Sequence, residues 1–171
     1  MTMPARATAA ATALIAACAA PASGQDYPEA WTAPTEPFRI VDNVYYVGAE
    51  GLSSFLITTP EGHFLLDGTM PGAGEMIAEN IAALGFDVED VEILLNSHAH
   101  FDHSGGLAEL RALSGAEFYA SEGDQSALEN GFYLGWEERE EFNAPGIKVD
   151  HIVEDGDEVT LGGVTLTANI T

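Results

Sequence analysis

The run VEILLNSHAHFDH, residues 91–103, limits the fold more than any other stretch of the chain. VEILLNS is almost entirely apolar, as expected for a β-strand covered on both faces, so it requires a packed layer on each side. The elements around it can supply those layers. FRIVDNVYYVG reads as two short strands about the turn pair Asp42-Asn43, and SSFLITT and HFLLDG as a hairpin closed by Pro60-Glu61-Gly62. GEMIAENIAALGF places Met76, Ile77, Ile81 and Leu84 on one helical stripe that Gly85 terminates. GGLAELRAL predicts a second helix, with Leu107, Leu110, Ala112 and Leu113 apolar, AEFYAS a strand, and SEGDQSALENG a helix capped by Ser121. FYLGWEEREEFNAPGI has no clear period and reads as a surface loop. HIVEDGDEVTLGGVTLTANIT reads as short strands separated by DGD and GG turns. The order predicts a mixed α/β layered fold with helices outside the sheet.

The buried strand runs straight into His98, His100, Asp102 and His103. In extended backbone residues two apart point the same way, so His98 and His100 share a side and Asp102 continues the alternation. His103 then turns elsewhere as the chain enters Gly105-Gly106, which would divide the ligands into two groups. Neutral imidazole and carboxylate are the ligands of a catalytic zinc with an open coordination position. The carboxyl end of a buried strand is also where α/β sheets place their active sites. A loop whose histidines merely satisfy local hydrogen bonds accounts poorly for three of them in six residues.

Charge and the amino-terminal segment narrow the setting. With 28 acidic against 5 basic residues the formal net charge is −23, which argues against nucleic acid and anionic lipid as partners. Residues 1–24 read as a secretory signal peptide: MTMPAR, then the short apolar run ATAAATALIAACAA, then small and polar residues. Cys18 is the only cysteine, so no internal disulfide forms; Ile15-Ala16-Ala17-Cys18 resembles a lipobox, which would give the exported, periplasmic protein a lipid anchor. The alternative is an incidental cysteine in a leader cut near Ala22 to Gly24. Residues 25–37, rich in proline, read as an extended arm.

The signature HAHFDH, residues 98–103, resembles the HxHxDH motif of the metallo-β-lactamase fold superfamily, and the wider run NSHAHFDHSGGL is similar to its subclass B3 enzymes. SSFLITTPEGHFLLDGTMP, NIAALGF and VTLTA extend the likeness over most of the chain after the leader. Subclass B1 has arginine after the aspartate, where this chain has His103. Glyoxalase II and lactonases share HxHxDH. The resemblance implies an αββα sandwich, with residues 38–171 as the N-terminal part of the domain, and a site for two zinc ions. His98 and His100 would bind the first, and Asp102 and His103 the second. Water activated there would attack the β-lactam carbonyl, with Asp102 orienting it. The resemblance makes Asp67 a buried aspartate supporting the site; the alternative is a strand-end turn residue.

Elsewhere the expectations are plainer. His63, beside Gly62 in a hairpin, is expected to be exposed, and His151 has no partner in sequence. Phe132, Tyr133 and Trp136 are expected to clamp a loop onto the core rather than line a groove. EEREE, Glu137 to Glu141, is expected to be a solvated face. The family takes one further histidine per zinc from the second half of its fold, the first in a PGHT-type segment after a strand like VTLTANIT, and neither His63 nor His151 matches. The expectation is therefore an incomplete chain, poorly soluble and close to inactive. Two other readings stay open: a hydrolase of another ester, thioester or lactone, and a non-catalytic metal-binding envelope lipoprotein.

Overall fold

The computed structural model describes residues 27–171. Seven strands form one sheet in chain order: β1 (Phe38–Val41), β2 (Val44–Tyr46), β3 (Phe55–Thr59), β4 (Gly62–Leu66), β5 (Val91–Leu95), β6 (Glu117–Ser121) and β7 (His151–Val153). The first four pair antiparallel, with tight turns closing β1–β2 and β3–β4 and residues 47–54 linking β2 to β3; β4 to β7 pair in parallel. Parallel neighbours need long crossovers, and these contain the helices α1 (Gly74–Ala83), α2 (Phe101–Ser104), α3 (Leu107–Ser114) and α4 (Glu122–Asn130). A separate hairpin, β8 (Glu158–Leu161) with β9 (Val164–Thr167), follows and contacts β4. This is the expected mixed α/β arrangement, with the helices carried by the crossovers of the parallel half of the sheet.

Period-two alternation decides which side chains meet the helices. Leu56, Leu65, Leu94 and Phe118 lie in register across β3 to β6, all fully buried against Ile77 and Ile81 of α1 and Leu107 and Leu110 of α3. Phe55, Leu66, Leu95 and Tyr119 form the adjacent row on the opposite face and are only half-buried. Leu113 of α3 is 42% exposed, so the apolar stripe of that helix ends at Leu110.

His63 departs from expectation. The turn occupies residues 60–61, so Gly62 already lies in β4 and His63 occupies an inward position opposite Thr58 and Val91. It is 7% exposed, with its ring edge-on to Phe86 at 5.3 Å. The arm at 25–37 is also more structured than expected over its described part. Glu29–Trp31 form a 3₁₀ turn, Pro34 bridges Ala49, and Tyr27 packs on Phe101 at 5.3 Å. The leader and Cys18 lie outside the described residues.

Candidate active site

Strand β5 delivers the histidine cluster, and a change of backbone conformation at His100 shapes it. His100 is extended (φ −97°, ψ 145°) and caps α2, accepting from the Ser104 N–H at 2.8 Å. The strand alternation therefore stops at His100. Asp102 and His103 sit on a helical turn instead, and the His103 ring comes back against His98 with centroids 4.1 Å apart. His98 and His100 are 4.4 Å apart. The three rings therefore lie close together, with His98 touching both His100 and His103. His103 Nε2 lies 3.8 Å from Asp102 Oδ2.

Asp67 anchors this group from below. It follows β4, is 4% exposed, and has a left-handed backbone, φ +63°; Thr69 has φ +53°. Two side-chain-bearing residues so close together in that region mark a strained loop, the kind that persists where its surroundings hold it. Here the surroundings are the turn that carries the histidines: the Gly68 N–H donates to the His103 carbonyl at 2.6 Å, and the Gly105 N–H to the Thr69 carbonyl at 2.9 Å. A Cβ on Gly105 would lie 2.2 Å from the Pro71 nitrogen, so the close approach requires glycine. The Asp67 carboxylate accepts from the Ser97 N–H at 2.7 Å and its hydroxyl at 2.8 Å, and lies 2.9 Å from His103 Nδ1. Asp67 is thus at once the turn residue of β4 and the support of His103.

His100 is held differently. Tyr133, from the loop after α4, stacks on its ring at 4.1 Å and 17°, with the hydroxyl 3.1 Å from His100 Nδ1. Tyr133 in turn packs among Phe101, Trp136 and Phe142, while the Arg139 guanidinium lies over Trp136 and Phe142 and pairs with Glu141. The expected clamp is present, and Tyr133 carries it into the site. Phe132 packs against the main core and Trp136 stays half exposed, as do most of the glutamates of EEREE. Burial, helped by the neighbouring His98, lowers the His100 pKa from its ordinary value, whereas the hydrogen bond to Asp67 raises that of His103.

The donor set suits zinc. All three histidines engage Nδ1: His98 with Ser97 Oγ at 3.1 Å, His100 with Tyr133, His103 with Asp67. Among the described residues no Nε2 of the three is hydrogen-bonded, which is the pattern of ring nitrogens left for a metal. Among those residues no three His, Cys, Asp or Glu side chains are arranged to hold one ion. His63 lies at the far end of β4 from Asp67. His151 on β7 pairs with Glu117 at 3.0 Å and stacks on Tyr119, apart from the cluster. Ser97 and the contact of Tyr133 with His100 were not anticipated. Ser97 could have been suspected as a polar residue between a buried strand and the first histidine; nothing near Tyr133 in sequence announces His100.

Residues 47–171 match the family model of the metallo-beta-lactamase superfamily, and the chain belongs to that superfamily. It is similar to BJP-1, a subclass B3 metallo-beta-lactamase of Bradyrhizobium japonicum. The identity is 49% and the TM-score 0.80, over 82% of this chain and 53% of that one. Exodeoxyribonuclease WalJ of Streptococcus pneumoniae is 31% identical over 128 residues, 71% of this chain and 42% of WalJ. N-acyl homoserine lactonase AttM of Agrobacterium fabrum is 29% identical over 116 residues, 55% of this chain and 44% of AttM. The chain thus spans less than half the length of these curated relatives.

Proposed function

We propose that this chain carries the metal-ligand loop of a zinc-dependent hydrolase that opens the β-lactam amide bond. The observation that carries this reading is the group His98, His100, Asp102 and His103, with Nδ1 of all three histidines engaged and none of their Nε2 atoms hydrogen-bonded among the described residues. The 49% identity to a subclass B3 enzyme supports the choice of substrate. His98 and His100 would hold one zinc, and Asp102 and His103 a second. Zinc there would polarise the carbonyl and bring the pKa of water towards neutrality. The protein's part is orientation. Asp67 fixes His103, and Tyr133 fixes the plane of His100. The Asp102 carboxylate, as a ligand of the second zinc, would also orient the attacking water.

Two side chains per zinc are fewer than the three protein ligands usual for a catalytic site, so this chain is expected to bind it weakly and turn over slowly. The test is zinc titration of the purified chain against a chromogenic chelator, beside a variant with all four ligands changed to Ala. Equal zinc binding by the two removes the metal site. At saturating zinc, a chromogenic cephalosporin should be hydrolysed faster than by His98→Ala. A lactone or thioester cleaved faster than the cephalosporin removes the β-lactam reading. That second reading, a lactone or thioester hydrolase, is favoured by the AttM likeness. A nuclease is disfavoured despite WalJ, because a net charge of −23 repels phosphate backbones. Export to the periplasm under the leader, with or without lipid on Cys18, belongs to the same proposal and is tested by cell fractionation and by the mass of the mature N-terminus.

A further inference from the structure

We infer that Ser97 is a positioning residue, a hydroxyl relay that fixes the ring tautomer of His98 from the buried carboxylate of Asp67. The inference rests on the zinc-site reading above, and proton bookkeeping carries it. Asp67 is acceptor-only as a carboxylate, and the Ser97 hydroxyl lies 2.8 Å from its Oδ2, so that hydroxyl donates to Asp67. Having given its one hydrogen, Ser97 Oγ can only accept from the other groups around it. Those are His98 Nδ1 at 3.1 Å and His103 Nδ1 at 3.2 Å. Both rings must therefore carry their proton on Nδ1 and present a bare Nε2, the form in which a neutral imidazole binds metal.

The two histidines differ in what else holds them. His103 has its own contact with Asp67 at 2.9 Å, whereas His98 reaches the carboxylate only through Ser97. The Ser97 N–H also donates to Asp67 Oδ1 at 2.7 Å, so removing the hydroxyl leaves the backbone anchor in place. Loss of the hydroxyl should release His98 alone.

The test is the imidazole ¹⁵N spectrum of the metal-free chain, which distinguishes Nδ1–H from Nε2–H at each ring. In the unaltered chain both His98 and His103 should be predominantly Nδ1–H; His98 as Nε2–H overturns the relay without any variant. In Ser97→Ala, His98 should move to Nε2–H while His103 keeps Nδ1–H, and zinc affinity should fall about tenfold. Ser97→Thr, which keeps the hydroxyl, should restore both. An unchanged His98 in Ser97→Ala, or a shift of both rings together, overturns the relay. The expected tautomers without measurable zinc binding would instead count against the zinc site and leave the relay standing.

Discussion

The two ends of the histidine cluster are held by different physics. His103 rests on a buried carboxylate, Asp67, within a strained loop bonded backbone-to-backbone to the ligand turn. His100 rests on the face of Tyr133, in a loop whose own support is Phe142, Trp136 and an exposed Arg139. The first support belongs to the sheet and moves only if β4 or β5 moves. The second is a half-buried aromatic stack whose outer edge at Trp136 is exposed. Short-range, hydrogen-bonded precision on one side and adaptable apolar packing on the other suit a site in which one ligand group is fixed and the neighbouring wall can adjust.

The largest effect should come from removing the buried carboxylate. Asp67→Ala strips the partner from Ser97 and His103 together, leaving donors without an acceptor close to the core. A loss of about 3 kcal/mol is expected in urea unfolding, with zinc affinity falling between about tenfold and a hundredfold. If the loss is below about 1 kcal/mol, His103 is not held from Asp67 and the contrast between the two ends collapses.

Tyr133→Ala should come next. It removes the ring stacked on His100 and contacts with Phe101 and Phe142, and about 2 kcal/mol is expected for a half-buried aromatic. Tyr133→Phe keeps the stack and loses only the hydroxyl, so about 1 kcal/mol or less is expected. Equal losses in the two variants would mean that the hydroxyl, and not the aromatic face, holds His100.

Acid-base behaviour should separate the ends by sign. His103 has a raised pKa through its bond to Asp67, so its contribution is full below the ordinary value near 6.5 and is lost as pH rises through the higher folded value. His100 has a lowered pKa, from burial and then His98, so the unfolded chain binds the extra proton, and stability rises with pH between the lower folded value and about 6.5. Unfolding of the metal-free chain across that range should show the His103 limb disappear in His103→Gln and the His100 limb disappear in His100→Gln. Loss of the same limb in both variants would show that the two rings titrate as one group.

How much of this was legible in the sequence follows the same division. The buried strand and the helices could be read because each is written in local periodicity: VEILL for β5, Ile77 and Ile81 for α1, Ser121 as the cap of α4. Asp67 was found through resemblance to a family, since its 36-residue separation from His103 hides the contact. His63 was misread because one residue of turn length decides which face a strand residue takes. The run HAHFDH bends at His100, ahead of the turn at His103 that its strand-like alternation suggests, and glycine at 105 lets that turn pack close to Pro71. Tyr133 lies in a loop without period, where only tertiary packing selects the partner.

The smallest effect is expected at the outer rim of the aromatic support. The Arg139 guanidinium lies 5.4 Å from the Trp136 ring centroid and 5.0 Å from that of Phe142, and pairs with Glu141, yet its side chain is 43% exposed. Exposed cation–π contacts and surface ion pairs each contribute under about 1 kcal/mol, and salt screens the ionic part. Arg139→Ala should therefore cost about 0.5 kcal/mol at low salt and less in high salt, whereas the loss in Asp67→Ala should hardly change with salt because that carboxylate is buried. Urea unfolding of both variants at two ionic strengths makes the comparison. A salt-dependent loss at Asp67 equal to that at Arg139 would show that both ends of the cluster rest on solvent-screened contacts, and that the carboxylate side is no more rigid than the aromatic one.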